Sequence, residues 1–300
     1  MASTNTNPSI QGIPCNASLL APTSGMTLEG VASHYNDLDE FYREIWGEHV
    51  HHGLWISNLE TDREAAENMV QRVAEAARIA PGQHVCDIGC GYGATAKILA
   101  QKFQAEVTGL TISSAQLRYA LANNHVENHT TYLLRDWYAN ELPDASFDTV
   151  ISIESLEHMP DLPRFFQEAH RVLKPGGRLV ATAWMSCENP SRFSQRFLID
   201  AISREAQLAG VRPASEFTAA IQGSGFSSIT MEDLASSVKK TWPLCIARTL
   251  KGIFTKPHYR KFLFSSDNPN RIFAITILRI WLAYNLGVMR YGFFTAVRNS

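Results

Sequence analysis

Val85-Cys86-Asp87-Ile88-Gly89-Cys90-Gly91-Tyr92-Gly93 carries a short apolar strand into a helical stretch, Ala94–Phe103, through glycines at alternate positions. Glycine belongs where the backbone adopts angles forbidden to other residues or where a ligand approaches it closely. A strand, a glycine turn and a helix in this order open a parallel α/β sheet that binds its ligands at the carboxyl ends of the strands. A dinucleotide site asks for Gly-x-Gly-x-x-Gly and an acid about 20 residues further on. Here the third glycine arrives one position early and the second strand closes on Leu110-Thr111. A nicotinamide-dependent oxidoreductase is therefore disfavoured. A merely tight turn is the structural alternative, and the strand before it and the helix after it weigh against that reading.

The rhythm extends in both directions. Upstream, residues 61–79 set Ala65, Met69, Val70, Val73 and Ala76 at helical spacing behind Asp62 and Glu64, ending before Pro81-Gly82. Downstream, strands are expected at residues 106–110, 130–134, 147–153 and 178–184. Helices are expected from Ser113 or Ser114 to about Asn123 and from Leu162 to the Lys174-Pro175-Gly176-Gly177 stop. A later strand pair is expected at residues 227–234 and 288–297, with helical sequence between them that would cover the ligand edge as a lid.

The chain has 300 residues with 45% apolar side chains, enough to bury a core without disulfides or metal. Its five cysteines are scattered without Cys-x-x-Cys spacing, which suits a reducing, cytoplasmic compartment. Charge is balanced overall, 27 Lys and Arg against 29 Asp and Glu, so no attraction to nucleic acid is implied. The balance hides an asymmetry: residues 239–300 carry eleven cations and a single acid, Asp267. The most apolar run, residues 272–286, is broken by Arg279 and Asn285 and falls short of the roughly 20 residues that span a bilayer.

The Asp87 to Gly93 segment resembles motif I of class I S-adenosylmethionine-dependent methyltransferases. Val107-Thr108-Gly109-Leu110-Thr111-Ile112-Ser113 with Gln116 resembles the following segment of the tocopherol, sterol and cyclopropane-fatty-acid branches. Phe147-Asp148 to His158-Met159 and Leu173 to Gly177 resemble later motifs, and Ile45-Trp46-Gly47-Glu48-His49-Val50-His51-His52-Gly53 resembles γ-tocopherol methyltransferases and related plant alkaloid N-methyltransferases. The resemblance implies a Rossmann-like α/β sheet, mostly parallel with an antiparallel last strand, preceded by helices. It implies S-adenosylmethionine as cofactor, with the methionine part held at Asp87, Gly89, Cys90, Gly91 and Gly93, and Leu110 and Ser152 beside it. Thr111 and Gln116 would address the ribose, Asp136 the adenine amino group, and Trp137 would offer a stacking face. Asp136 as a turn residue and Trp137 as core are the alternatives.

Methyl transfer is an in-line displacement that needs an aligned acceptor, exclusion of water and, for some acceptors, loss of a proton. Ser152-Ile153-Glu154-Ser155-Leu156-Glu157-His158 sets two carboxylates and an imidazole at the cofactor edge. His158, with an ordinary pKa of about 6.5, is the first candidate base, a structural hydrogen-bonding role being the alternative; Glu154 follows, then Glu157. Tyr35 would close over the methyl donor or pack the first helix. His49, His51 and His52 lack a partner at recognised ligand spacing, so no metal is expected.

The expected organisation is a polar, disordered arm at 1–28, an N-terminal helical segment at 29–80, an S-adenosylmethionine-binding core at 81–238, a helical lid at 239–287 and a last core strand at 288–300. The lid's aromatic and aliphatic load suits a hydrophobic substrate of prenylated aromatic, terpenoid or indole-alkaloid type. Its cations suit either an anionic membrane surface or an anionic substrate group such as a diphosphate. A cofactor-binding scaffold without catalysis is the third class of function in view.

Overall fold

The computed structural model describes residues 27–264 and 272–299, so most of the expected N-terminal arm lies outside the described residues. Strands β1 (His84–Ile88), β2 (Glu106–Thr111), β3 (Thr130–Leu134), β4 (Phe147–Ile153), β5 (Leu173–Ser186), β6 (Arg212–Pro213), β7 (Phe226–Asp233) and β8 (Met289–Arg298) form one sheet. The order is β3-β2-β1-β4-β5-β8-β7; β6 pairs with the end of β5. The first five strands are parallel, and β8 runs antiparallel to β5 and β7. β1 lies between β2 and β4, so the chain leaves it in one direction and later returns on its other side. That reversal opens a crevice at the end of β1, where the glycine turn sits.

β1 is buried on both faces because helices cover both: Val85 packs in one core cluster and Cys86 and Ile88 in the other. Helix Asp62–Ala77 begins at the expected place, in a reciprocal cap between Thr61 and Glu64. The first helix, Leu28–Asp37, begins three residues earlier than the apolar pattern suggests, because Thr27 Oγ1 accepts from the Gly30 amide at 3.1 Å.

Two regions depart from the expected pattern. β5 starts at Leu173 rather than Arg178, and Lys174-Pro175-Gly176-Gly177 is an excursion within it: pairing passes from Phe147↔Leu173 to Thr149↔Arg178. Residues 192–205, expected to belong to the plain core, instead form a helical run with a π-type turn, and a further helix, Ala214–Gly223, precedes β7.

The segment expected to form a lid comprises helices Thr241–Thr255, Pro257–Phe264 and Phe273–Asn285, the first and last packed side by side. Three of its cations are answered by acids elsewhere in the chain: Arg248 meets Asp62 at 2.5 Å, Lys256 meets Glu44 at 2.5 Å, and Arg279 meets Glu205 at 3.0 Å. The charge asymmetry is thus in part an internal match between lid and body. No helix among the described residues is long and apolar enough to cross a membrane.

Candidate active site

The glycine turn opens on a cleft of about 1050 Å³ at the carboxyl ends of β1, β2 and β4. Gly89, Gly91 and Gly93 all have positive φ, at 73°, 53° and 79°, but for different reasons. A Cβ on Gly89 would lie 2.5 Å from Ser155 Cβ, and one on Gly93 would lie 2.7 Å from the Tyr132 hydroxyl. A Cβ on Gly91 would meet nothing within 4 Å. Gly91 is therefore the position whose bareness a bound ligand would use; the other two let the protein pack on itself. Cys90 anchors the turn, its amide donating to Leu110 O at 2.9 Å. Beneath the turn Asp87 is buried with Oδ2 unpartnered, and burial pushes its pKa up to about 7. A carboxyl left in that state suits a cation or N–H of a bound ligand, such as the methionine ammonium of S-adenosylmethionine.

At the next two strand ends, Thr111 Oγ1 donates to Gln116 Oε1 at 2.8 Å and accepts from the Ser113 amide at 3.1 Å. This pairing fixes Gln116 in the cleft wall with its oxygen engaged. Asp136 also lines the cleft and caps the turn Trp137–Ala139, accepting from the Tyr138 amide at 3.0 Å. Trp137 is buried; its indole N–H donates to Phe165 O at 3.2 Å and its ring packs on Phe165, so it walls the cleft as part of the core. Leu110 lines the cleft, whereas Ser152 does not: its hydroxyl pairs with Ser155 Oγ at 2.6 Å. Ser155, which sequence reasoning passed over, donates to Ile88 O at 2.9 Å and fills the space under Gly89. Arg135, Tyr138 and Met159 were also missed, since no spacing rule marks a residue as a cleft wall.

A second cavity of about 590 Å³ lies beneath the lid, walled by Tyr42, Trp46, Trp184 and Trp242 and by Ile277 and Ile280 of the last lid helix. Tyr35, Val50, Glu154 and His158 line both cavities and form the partition through which a methyl group would pass.

Three of the four candidate catalytic side chains, Tyr35, Glu154 and His158, meet at this partition, and the fourth, Glu157, lines the second cavity beside it. His158 Nδ1 donates to Gln207 O at 2.9 Å, which leaves Nε2 as an acceptor, and the Tyr35 hydroxyl occupies it at 2.8 Å. Burial lowers the His158 pKa to about 4, with His34 acting the same way, so the imidazole does not titrate near neutrality as its ordinary value suggested. Glu154 is saturated: it accepts from the His52 amide at 2.6 Å, His52 Nδ1 at 3.0 Å, Trp184 Nε1 at 2.7 Å and the Tyr291 hydroxyl at 2.8 Å. Burial pushes its pKa up, but His52 and the donated hydrogen bonds outweigh this and hold it at about 2. Its φ of 53° shows that the backbone bends to keep the carboxylate there. Neither is poised to take a proton.

Glu157 differs. Its Oε1 accepts from the Trp184 amide, while Oε2 is buried without a partner in the wall of the second cavity. Burial, then the negative charge of Glu154, raises its pKa to about 8. The histidine cluster serves Glu154: His51 Nδ1 donates to His52 O at 2.9 Å, His49 Nδ1 donates to His51 Nε2 at 3.2 Å, and His52 delivers two bonds to the carboxylate. These imidazoles are a brace for the partition.

Residues 86–181 match the methyltransferase domain family. The chain is 31% identical over 241 residues to (+)-O-methylkolavelool synthase of Herpetosiphon aurantiacus, covering 79% of this chain and 82% of that protein. It is 28% identical over 289 residues to the chloroplastic tocopherol O-methyltransferase of Arabidopsis thaliana, covering 89% and 81%. The crystal structure of mycolic acid cyclopropane synthase CmaA1 complexed with SAH and CTAB superimposes with a TM-score of 0.80 at 22% identity, covering 90% of this chain and 98% of that one. With a bare Gly91 facing the cleft, an unanswered Asp87 and these relatives, the chain belongs to the class I S-adenosylmethionine-dependent methyltransferases, in the branch that contains the tocopherol, sterol and cyclopropane-fatty-acid enzymes, and S-adenosylmethionine is its cofactor.

Proposed function

We propose that this enzyme methylates an uncharged, lipophilic small molecule seated in the aromatic cavity, and that Glu157 receives the proton the acceptor gives up. The observation that carries the reading is the free Oε2 of Glu157, a buried acceptor in a wall otherwise made of rings and aliphatic side chains. Relatives named for tocopherol, kolavelool and sterol substrates supply the class: a ring-bearing or terpenoid body of the secondary-metabolite type.

Bound S-adenosylmethionine supplies an electrophilic methyl on a sulfonium. The chain's own part begins at the partition, where Tyr35 and Val50 separate the two cavities and the lid excludes water. As the acceptor atom gains its methyl it releases a proton, which passes to Glu157 Oε2. Only the ionised form of Glu157 can take the proton, and with a pKa of about 8 that form is a minority at neutral pH that grows as pH rises towards 8, so turnover is expected to rise over that range. Tyr35 and His158, locked to each other, shape the partition, and Glu154 with its histidine brace keeps Trp184 in place over Glu157.

Among the described residues no Lys or Arg lines the aromatic cavity, so a diphosphate or other anionic group would find no partner there. That favours a neutral acceptor over the anionic alternative. A neutral amine is a second reading, because an ionised Glu157 among five Tyr and Trp rings would also accommodate its cationic product. The free thiols of Cys86, Cys90, Cys187 and Cys245 suit a cytoplasmic enzyme.

Transfer of labelled methyl into lipophilic phenol, alcohol and amine pools by Glu157→Gln tests the assignment. A phenol or alcohol acceptor predicts turnover reduced by ~10²-fold with cofactor affinity unchanged. Full turnover with an amine supports the second reading, and full turnover with a phenol removes Glu157 from the reaction.

A further inference from the structure

We propose that the outer face of the last lid helix, Phe273–Asn285, together with the Phe193 and Phe197 turn beside it, docks on an anionic lipid surface, from which the acceptor is drawn into the enzyme. The helix is apolar on two sides. Thr276, Ile277, Ile280, Ala283 and Tyr284 are buried, and three of them line the aromatic cavity. Opposite them Ile275, Leu278, Trp281 and Leu282 are exposed, each by 40% or more, and Leu286 continues the stripe. Water tolerates scattered apolar side chains, but a full helix face of them marks a surface meant to be covered.

The stripe does not stop at the helix. Arg279 donates to Phe197 O at 2.6 Å while pairing with Glu205, and so fastens the residue 192–205 run against the helix. Phe193 and Phe197 stand exposed there, 67% and 49%. On the other side lies helix Thr241–Thr255, whose exposed positions Pro243, Ala247, Leu250 and Phe254 follow one another at helical spacing.

Charge names the occupant. Arg192, Arg196 and Arg204 are exposed in the run that flanks the stripe, Lys251 is exposed beside Leu250, and none of these four has an ion pair among the described residues. Arg196 extends over the Phe197 ring at 5.7 Å. The acids of the same run are committed inward: Asp200 accepts from Gln195, and Glu205 accepts from Thr276 and Arg279. Apolar side chains with a rim of unpaired cations match the acyl boundary and headgroups of an anionic bilayer. A second copy of the chain would bring one cationic rim against another. Docking is peripheral, since the helix is too short to span.

The consequence for access is geometric. One helix separates the proposed lipid side from the cavity, because its inner residues are the cavity's wall. A lipophilic acceptor dissolved in the bilayer would reach Glu157 by displacing that helix, without crossing water. This step rests on the lipophilic-acceptor reading above; the docking itself does not.

The test uses the full chain and vesicles of phosphatidylcholine, with and without an equal part of phosphatidylglycerol, in a flotation assay. Wild type is expected to float with the anionic vesicles, and less so as salt rises. Leu278→Asp with Leu282→Asp, two outward side chains that do not line either cavity, should weaken binding by about tenfold or more while leaving calorimetric S-adenosylmethionine binding intact. Arg192→Glu with Arg196→Glu should abolish the preference for anionic lipid. Wild type that stays with the buffer, or a double Asp variant that floats as wild type does, overturns the proposal. A wild-type dimer in sedimentation that the double Asp variant dissolves overturns it in favour of self-association. Vesicle binding without methylation of any lipophilic acceptor would instead count against the substrate reading, and methylation in detergent without vesicle binding would count against docking alone.

Discussion

The cofactor cleft and the aromatic cavity share a partition of four side chains, yet they are built on opposite principles. The cleft is made by backbone: strand ends, a glycine turn, and caps such as Ser113 and Asp136 that set the path of the chain. The cavity is made by side chains brought from six separate parts of the sequence, Trp46, Glu157, Trp184, Leu208, Trp242 and Ile277 among them. Backbone sites leave a local signature, because a turn that must approach a ligand needs glycine wherever the chain is met. Side-chain sites leave almost none, because an aromatic residue that walls a pocket is spelled as one that fills a core.

The largest effect that would break this comparison is at the turn. Gly91→Arg should abolish S-adenosylmethionine binding in calorimetry, since its side chain must occupy the cleft that Gly91 leaves open. Gly89→Ala and Gly93→Ala should act differently, lowering Tm by several degrees, because their Cβ atoms strike Ser155 and Tyr132 inside the protein. Equal loss of cofactor affinity without loss of stability in all three variants would show that the turn is uniformly a ligand surface.

Much of the cleft was legible from the sequence for this reason. β1 to β4, the switch at β1 and the turn follow from short apolar runs punctuated by glycine and helix caps, and the strand limits agree to within a residue. The lid's helical nature was legible too, but the 192–205 run was not, since its sequence mixes Arg, Ser and Phe without steady spacing and includes a π-type turn. At the partition, residue types were legible and their states were not. Glu154, Glu157 and His158 are neighbours in sequence, and nothing in their order says that one receives four donors, one keeps an oxygen free and one is locked to Tyr35. Those states depend on His52, Trp184, Gln207 and Tyr291, which no local pattern connects to them.

A smaller but diagnostic effect is expected at Glu154. Glu154→Ala leaves the donors of His52 and Trp184 buried without an acceptor, and Tyr291 with Thr182 alone, and should cost roughly 3–5 kcal/mol in denaturant unfolding, the loss typical of one partner removed from a buried pair. Glu154→Gln, isosteric but uncharged, should recover part of this. If Glu154→Ala unfolds as wild type does, the carboxylate is not the brace the hydrogen bonds describe, and a direct role with substrate must be reconsidered.

The smallest effect separates the two neighbouring carboxylates by the sign of their pH dependence. Glu154 is held below its unfolded value, so the native state binds its proton less readily. Its contribution is present above the unfolded carboxylate pKa and is lost as pH falls from about 4.5 towards about 2. Glu157 is raised to about 8, so between the unfolded value and that point the native state holds a proton the unfolded chain has released, and stability falls as pH rises through this window. Glu157→Gln removes the second effect without opening a cavity. Its Tm should therefore exceed that of wild type by a few degrees at pH 8, and the gain should shrink towards pH 5, even as turnover of a phenol or alcohol acceptor collapses. A gain in stability with a loss of rate marks a group kept in an unfavourable setting for its chemistry. Lower Tm at every pH would instead make Glu157 a structural partner of Trp184, and the proton would have to leave by another path.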